Sequence, residues 1–324
     1  MNAKKSILTI ILCALTAVIP MSGRAQNVDK LHVEGTQLVN SKGEPVVLHG
    51  ISFGWHCIWP QFWNKQCTRY LIRNWNAQVV RASMGVAKEA KGEMLRNYLA
   101  EPKLGLKCVK NVVDEAIRDG AYVIIDWHSH DIFEEQAISF FRMMAKRYKG
   151  VPNVIYEVYN EPDYETWPEV KAYATKVIRA IREIEPDAVI LVGCPHWDQD
   201  IDQVAADPIR GEKNLMYTMH FYAGTHKQWL RDRTDAAMAK GIPVFVSECA
   251  GMEASGDGPI DAKEWQAFVD WMAARKISWC AWSVSDKVET CSMFIPGANP
   301  KGRWKEDEVK PWGKMVRAAL QGNQ

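Results

Sequence analysis

Short runs of Val and Ile alternate along this chain with longer segments in which apolar residues recur every three or four positions. The runs are nearly continuous, which is typical of parallel strands buried on both faces. The longer segments predict amphipathic helices, with Val109, Val113 and Ile117 forming one apolar stripe. Regular alternation of this kind restricts the chain to an α/β fold built on a parallel sheet.

The predicted strands begin with a hairpin, Leu31–Val39 and Pro45–Gly50, that turns at residues 41–43 and leads into a barrel. The predicted barrel strands are Val46–Phe53, Gln78–Met84, Tyr122–Trp127, Asn153–Asn160, Ala188–Cys194, Leu215–Tyr222, Pro243–Cys249 and Ser278–Ser283. Eight strands separated by helices in a chain of this length predict a (β/α)8 TIM barrel. A doubly wound sheet is the alternative, but no glycine-rich phosphate loop opens a helix after an early strand.

The first 25 residues predict a signal peptide. Lys4 and Lys5 precede an apolar run over Ile7–Ile19, and the segment ends in small Ala25, which is the order of regions in an exported chain. Because the run is shorter than the roughly 20 residues that span a bilayer, we expect no membrane attachment after cleavage. We expect an exported protein, secreted or periplasmic, in which residues 26–324 form one barrel domain and the chain acts as a monomer.

The balance of charge excludes several classes of partner. The chain has 40 Lys and Arg against 39 Asp and Glu. Loss of Lys4, Lys5 and Arg24 with the leader would leave 37 basic against 39 acidic residues. Because no block of like charge interrupts the chain, the pattern indicates neither nucleic acid nor an anionic membrane as a partner. A neutral partner is favoured.

Cysteines and candidate metal ligands follow no metal-binding pattern. Seven cysteines follow the leader, at positions 57, 67, 108, 194, 249, 280 and 291, and without a Cys-x-x-Cys pair a zinc cluster is not indicated. We expect small buried residues, with a Cys57–Cys67 bridge as the alternative. His128-Ser129-His130-Asp131 lacks further ligands at matched positions. Asp198, Asp200 and Asp202 are expected to cap a helix rather than to bind calcium. We therefore predict neither a metal nor a cofactor.

Polar side chains collect at the carboxyl ends of the predicted strands, where a barrel of this kind carries its active site. They are Arg81, His128, Asn160, Glu161, His220, Tyr222, Glu248 and Trp282. Because an unpaired buried charge is costly, the set as a whole predicts function. For a single member, a structural ion pair such as Arg81 with a glutamate is the alternative.

Two members of the set, Glu161 and Glu248, are carboxylates on opposite sides of the predicted barrel mouth. Glycoside hydrolysis uses such a pair, one protonated to donate to the leaving oxygen and one ionised to attack or to activate water. A separation of about 5 Å between the carboxyls would mean retention at the anomeric carbon, and roughly 6.5–9.5 Å inversion. Both outcomes are open from the sequence.

Tryptophans supply a second sign of a glycan cleft. The chain has 14 Trp, and flat aromatic rings bind the C–H faces of sugars. We expect Trp59 and Trp197, which follow the first and fifth strands, to line such a cleft. Ordinary packing against helices is the better interpretation of Trp63, Trp265 and Trp271.

The segment Tyr156-Glu157-Val158-Tyr159-Asn160-Glu161-Pro162 resembles the Asn-Glu-Pro signature of glycoside hydrolase family five. Other matching segments follow in the order that the family has, and they are Val80-Arg81, Asp126-Trp127-His128, His220-Phe221-Tyr222, Ser247-Glu248 and Trp282. The segment Trp279–Thr290 resembles the bacterial endoglucanase subfamily, subfamily two. The resemblance covers essentially all of residues 26–324.

The resemblance implies a retaining endo-β-1,4-glucanase, a cellulase, that needs no cofactor and acts on a β-1,4-glucan. Glu161 would be the acid/base and Glu248 the nucleophile. Asn160 would bind the sugar 2-hydroxyl, while Arg81 and Tyr222 would keep Glu248 ionised and oriented. The remaining implied contacts are with the glucan, and they involve His128, His220, Trp282, Lys287 and Glu289.

Two departures from the family pattern concern the outer part of the cleft. Gly54 stands where subfamily members have a histidine, and we expect His56 to take over that contact. Cys249-Ala250-Gly251 replaces the usual Trp-Gly after the nucleophile. Mixed-linkage glucanase, mannanase or xylanase activity on the same barrel is the alternative, as is a glycan-binding protein without catalysis.

Overall fold

Eight parallel strands close into a barrel in the computed structural model, which describes residues 28–322. A two-stranded antiparallel hairpin of β1 (His32–Glu34) and β2 (Gln37–Val39) precedes the barrel. The barrel strands are β3 (His49–Phe53), β4 (Val79–Gly85), β5 (Tyr122–His128), β6 (Val154–Glu157), β7 (Ile190–Val192), β8 (Leu215–Tyr222), β9 (Val244–Ala250) and β10 (Trp279–Val284). Strand β10 pairs with both β9 and β3, which closes the barrel and confirms the predicted TIM barrel.

Helices follow the strands and cover the outside of the barrel. They are α1 (Lys65–Trp75), α2 (Pro102–Arg118), α3 (Glu134–Arg147), α4 (Trp167–Arg182), α5 (Ile201–Ala206), α6 (Gln228–Ala239), α7 (Ala262–Arg275) and α8 (Pro311–Gln321). The predicted stripe of α2 is borne out in part, because Val109 and Val113 are fully buried while Ile117 packs at its edge. Trp63, Trp265 and Trp271 are buried in the core as predicted.

The hairpin covers the amino-terminal end of the barrel. Leu31 and Leu38 belong to a buried apolar cluster with strand residues that include Val79, Ile124 and Ile155. Their strand neighbours Val80, Val123 and Ile125 belong to the larger cluster beneath the helices, because side chains alternate between the two faces of a strand. Since the amino-terminal end is filled and covered, the opposite end is left for a ligand.

The predicted turn at residues 41–43 is present, and an antiparallel bridge joins Val39 to Pro45 across it. A second turn, which was not predicted, lies at Gly35, whose φ of 58° suits glycine, and it joins β1 to β2. In the predicted turn, the side chain of Asn40 accepts hydrogen bonds from the backbone N–H groups of Lys42 and Glu44. The first barrel strand consequently begins at His49, three residues later than predicted.

The seven cysteines after the proposed leader are all buried and unpaired. This confirms their interpretation as small buried residues and excludes the Cys57–Cys67 bridge in this structure. No helix within residues 28–322 is long and apolar enough to cross a membrane. The predicted signal peptide, residues 1–25, lies outside the described residues.

Candidate active site

The predicted site residues meet at the carboxyl end of the barrel, and each is placed there by a strand or by the loop that follows it. Arg81 lies on β4, His128 ends β5, and Glu248 lies on β9. Glu161 stands four residues beyond β6, with a left-handed backbone φ of 42°. Non-glycine residues in this region are uncommon and cluster at functional sites.

Arg81 lies at the centre of the site and is fully buried. Its Nε and Nη2 donate hydrogen bonds of 2.7 and 2.9 Å to Glu157, and its Nη1 donates one of 2.8 Å to Glu248. Nη2 also donates to Asn160 Oδ1 at 2.7 Å and lies 3.1 Å from Asp126. Burial acts to lower the pKa of Arg81, but these carboxylates raise it well above its usual value, so the guanidinium stays charged. Arg81 therefore forms the structural ion pair considered above and also contacts the predicted nucleophile.

Glu248 is held as an acceptor on both oxygens. Arg81 donates to Oε2, and the hydroxyl of Tyr222 donates to Oε1 at 2.7 Å. Burial, with the nearby Glu248 charge, raises the pKa of Tyr222 well above its usual value, so the phenol keeps the proton that it donates. Two charge-assisted hydrogen bonds stabilise the ionised carboxylate and fix its orientation.

Glu161 has the environment of a proton donor. Burial raises its pKa, against the opposing effects of His130 and Arg81, and a general acid needs that direction of shift. Its Oε1 lies 2.9 Å from Nδ1 of His220. His130 Nδ1 lies 3.2 Å from the Glu161 backbone carbonyl and 4.0 Å from its Oε2.

The tautomer of His220 follows from its other partners. Glu157 accepts two hydrogen bonds from Arg81, and the hydroxyl of Ser247 also donates to it, at 2.8 Å. The oxygen of Ser247 is then free to accept from His220 Nε2, which lies 2.8 Å away. Burial lowers the pKa of His220 to about 4, so the ring is neutral and its Nδ1 carries a lone pair. Glu161 in its protonated form therefore donates to Nδ1.

Asn160 and His128 present polar groups toward the same space. The Asn160 side chain is fully buried, and its Nδ2 has no hydrogen-bond partner within residues 28–322. A buried amide group of this kind is costly unless a ligand completes it. His128 Nδ1 lies 2.8 Å from Asp126, and its ring is parallel to that of Trp282, with 5.2 Å between the ring centroids. Burial lowers the pKa of His128 well below its usual value, so this ring is also neutral.

An open cavity of about 370 Å³ lies beside the acid/base candidate, and Glu161, His220 and Tyr222 contribute to its wall. Trp197 lines the same cavity and is 37% exposed. The exposed ring of Tyr164 meets Trp197 edge-on, with 6.5 Å between the ring centroids. The structure thus places Trp197 beside the acid/base candidate.

Two residues expected at the cleft lie elsewhere. Trp59 is only 7% exposed and packs into the core against Gly54. The contact is so close that a Cβ atom on residue 54 would lie 2.6 Å from the Trp59 ring. His56 is fully buried and accepts a hydrogen bond from the Gly85 backbone N–H. Both expectations were wrong, because the turn after β3 directs these side chains into the protein. Trp55 lies at the site instead, with its ring 4.7 Å from that of His128.

Lys287 and Glu289 lie on the loop after β10. The Lys287 ammonium lies 3.1 Å from Glu289 and 3.2 Å from Glu93, a residue of the loop after β4. Their contact with a sugar stays a prediction.

Three buried side chains of the site were given no part in the chemistry by the sequence. Glu157 and Ser247 connect Arg81 to His220, and Asp198, which was expected to cap a helix, lies beside His220 instead. Asp200 is the residue at the amino-terminal cap of α5. A glutamate within the apolar run of β6 could have signalled Glu157, whereas Asp198 has no comparable local signal.

One oxygen each from Glu161 and Glu248 and a ring nitrogen of His220 lie within 4.8 Å of one another. Such a trio could hold a metal ion. Each side chain already has a protein partner, however, because Glu161 pairs with His220 and Glu248 with Arg81 and Tyr222. The arrangement is therefore explained by proton transfer and charge pairing.

Comparison with known proteins identifies the family. The model of the cellulases of glycosyl hydrolase family 5 matches residues 39–288. The chain belongs to glycosyl hydrolase family 5. A solved structure from Cytophaga hutchinsonii is 41% identical to this family 5 chain, with a TM-score of 0.87, and the match covers 91% of this chain and 95% of that one. The catalytic domain of a Thermobifida fusca endoglucanase in complex with cellotetraose is 32% identical, with a TM-score of 0.83 and coverage of 90% and 97%.

Curated relatives of this family 5 chain are longer proteins. An endoglucanase of Clostridium saccharobutylicum is 38% identical over 91% of the chain and 65% of its own length. Endoglucanase 5 of Pectobacterium carotovorum is 39% identical over 90% of the chain and 57% of its own length. The chain therefore spans about three fifths of the length of these relatives.

Proposed function

We propose that this family 5 protein is a retaining endo-β-1,4-glucanase, with Glu161 as acid/base and Glu248 as nucleophile. The observation that carries the proposal is the spacing of the two carboxyls, which have one oxygen each within 4.8 Å. Retaining enzymes have carboxyl groups about 5–5.5 Å apart, because the nucleophile must reach the anomeric carbon directly. An inverting enzyme would need room for a water molecule between its carboxylate and the sugar.

The reaction has two displacements. In the first, a Glu248 oxygen attacks the anomeric carbon while the glycosidic bond breaks, and Glu161 gives its proton to the departing oxygen. In the second, water attacks the same carbon, Glu161 takes up a proton from that water, and Glu248 is released as a carboxylate. The hydrogen bonds from Arg81 and Tyr222 match the ionised state in which Glu248 begins and ends the cycle.

Three features support a β-1,4-glucan as the substrate. The relatives described above are named endoglucanases, and one related catalytic domain was solved with cellotetraose. The cavity beside Glu161 is open and has Trp197 on its wall, while Trp282 stands against His128 near the nucleophile. One aromatic ring beside Glu161 and another against His128 suit a glucan chain that continues past the cleaved bond, as endo cleavage requires.

We further propose that the protein acts after export as a monomer. The basic start, the apolar run Ile7–Ile19 and the small residue Ala25 support the export part. Identification of the amino terminus of the protein recovered from the periplasm or medium tests it, and a mature start at residue 26 is the expected result.

The function is tested on purified protein with carboxymethylcellulose, β-mannan, xylan and mixed-linkage glucan. The expected result is release of reducing ends from carboxymethylcellulose with a rapid fall in viscosity, because internal cuts shorten chains quickly. Glu161→Gln and Glu248→Gln should each lose this activity while keeping the folded circular dichroism spectrum. A wild-type protein inactive on every one of these polymers would overturn the proposal, and preference for mannan or xylan would overturn its substrate.

A further inference from the structure

An unusual turn lies under the acid/base residue. His196, Trp197 and Asp198 are three consecutive non-glycine residues with left-handed backbones, at φ of 59°, 54° and 59°. Strained backbone of this kind persists only where surrounding contacts hold it, and it clusters at functional sites. The Trp197 backbone N–H donates to the Pro162 carbonyl at 2.9 Å, which ties the turn to the loop that carries Glu161. The turn leaves the Trp197 ring at the cavity and directs Asp198 inward.

Asp198 is fully buried, and its carboxyl group lies beside hydrogen-bond donors. Oδ1 accepts from the Cys194 backbone N–H at 2.5 Å, and Oδ2 accepts from the Glu161 backbone N–H at 3.2 Å. Oδ2 also lies 3.3 Å from Nε2 of His220. Within the described chain, no Lys or Arg lies within ion-pair distance of this carboxyl. A buried carboxyl without such a cation is expensive to keep, so its presence calls for an explanation other than stability.

We propose that Asp198 is a positioning residue for proton transfer by Glu161, an inference that rests on the proposed function. It acts through two contacts, one with the Glu161 backbone and one with His220. Together they set the orientation of the acid/base carboxyl and the tautomer of the histidine that it faces.

The contact with His220 determines which ring nitrogen carries the proton. Asp198 and Ser247 both lie on the Nε2 side, and both can accept from an Nε2–H. Protonation at Nε2 leaves Nδ1 as an acceptor for the carboxylic proton of Glu161 at 2.9 Å. With the other tautomer, Nδ1–H would donate to Glu161 and favour its ionised form, which cannot act as an acid. Asp198 thus favours the tautomer that keeps Glu161 protonated.

Asp198 and Glu161 also influence each other's protonation. Burial, followed by the neighbouring charge of Glu161, raises the pKa of Asp198 well above its usual value. Two carboxyls that repel each other across one imidazole release their protons in separate steps. The backbone N–H groups of Cys194 and Glu161 donate to Asp198 and oppose this rise, and the proposed role requires that the last proton of the pair stays on Glu161.

Other charged and titratable groups face this pair from neighbouring elements. Those facing Glu161 are His130, Arg81, Asp163, His220, Glu248, Asp126 and Tyr222, and those facing Asp198 are Glu157, Cys194 and His220. They remain in place when Asp198 alone is changed, so a difference between variant and wild type reports on Asp198.

The test compares Asp198→Asn with wild type and with Asp202→Asn. Asn keeps the size of Asp198, but its amide cannot accept on both sides and carries no charge. Asp202 lies on α5 of the same segment, is 56% exposed as a side chain, and pairs with Arg233 at 3.6 Å, so it controls for loss of a carboxylate nearby. Two substrates are used, cellotetraose and 2,4-dinitrophenyl β-cellobioside. The dinitrophenolate leaves without protonation, so kcat/KM for the second substrate does not require the acid.

For Asp198→Asn we expect the alkaline limb of kcat/KM for cellotetraose to move down by about one pH unit. At neutral pH, kcat/KM for cellotetraose should fall about tenfold or more, because a positioned acid contributes on the order of 10²–10⁴. The value for the dinitrophenyl substrate should stay within about twofold of wild type, and Asp202→Asn should behave as wild type on both.

An unshifted alkaline limb in Asp198→Asn, or an equal loss on both substrates, would overturn the inference and leave the proposed function standing. Wild type without activity on cellotetraose and on every polymer named above would overturn the proposed function, and the inference with it. If Asp198→Asn does not fold, Asp198→Ser is measured instead, since its hydroxyl can still accept one backbone hydrogen bond. Asp198→Ser should show the same downward move of the alkaline limb and the same selective loss on cellotetraose.

Discussion

Replacing Arg81 by Met tests how the site keeps several carboxylates buried. The substitution leaves Glu157, Asp126 and Glu248 without the cation that contacts all three. Removing one partner of a buried ion pair costs about 3–5 kcal/mol, because the remaining charge stays in a poorly solvated place. Arg81 has three such partners, so we expect the free energy of unfolding to fall by at least about 3 kcal/mol.

Arg96 provides the matched control for this prediction. It also makes a bidentate pair, with hydrogen bonds of 3.1 and 3.0 Å to Glu101, but the two side chains are 45% and 43% exposed. An exposed pair contributes about 0–1 kcal/mol. Arg96→Met should therefore be several-fold milder than Arg81→Met.

The measurement is urea denaturation of both variants at pH 7 and pH 5, followed by circular dichroism. Without Arg81, the carboxyls that it contacted have raised pKa values in the folded state. They therefore lower the free energy of unfolding increasingly as pH rises above about 4, the pKa of a carboxyl in the unfolded chain. The loss in Arg81→Met should therefore be larger at pH 7 than at pH 5. Equal losses in the Arg81 and Arg96 variants would refute the idea that Arg81 holds these charges together.

Three further predictions concern individual side chains. Tyr222→Phe removes the 2.7 Å hydrogen bond to Glu248 and should lower kcat/KM about 10–100-fold, since a hydrogen bond to a charged group is worth about 1.5–3 kcal/mol; unchanged steady-state kinetics would contradict this. Trp197→Ala should raise KM for cellotetraose with little change in the free energy of unfolding. Trp59→Ala should lower the free energy of unfolding by about 3–5 kcal/mol, because the ring is buried. A destabilised Trp197→Ala with unchanged KM, together with a stable Trp59→Ala with raised KM, would contradict both assignments. Burial lowers the pKa of His56 to about 4, so its stabilising contribution is present above pH 6.5 and is lost as pH falls toward 4. Between pH 7.5 and 4.5, wild type should lose about 2–3 kcal/mol more than His56→Gln in urea denaturation, and equal losses would show that His56 does not cause the dependence.

The barrel could be predicted because burial on both faces of a parallel strand leaves a strong signal. Leu215–Tyr222 was predicted with its observed bounds, and most other strands differ by one to three residues at an end. The bounds were less certain because apolar residues continue beyond the last hydrogen-bonded pair, as in the segment after β6. The turn at residues 41–43 was predicted, but the turn at Gly35, inside the first predicted arm of the hairpin, was missed.

The site could be predicted where a charged residue stands at the end of an apolar strand, as Arg81 and Glu248 do. It could not be predicted where the direction of a loop decides which side chain faces the cleft. Trp59 and His56 turn inward after β3, and the left-handed turn buries Asp198. No periodicity marks such turns, because they depend on contacts with distant segments.

The stereochemistry of the first product tests the account most directly. Proton NMR of a fresh cellotetraose digest distinguishes the α and β anomers of the new reducing end before they interconvert. The spacing of Glu161 and Glu248 predicts that the β anomer forms first. Initial formation of the α anomer would mean direct attack by water and would contradict the assignment of Glu248 as a nucleophile.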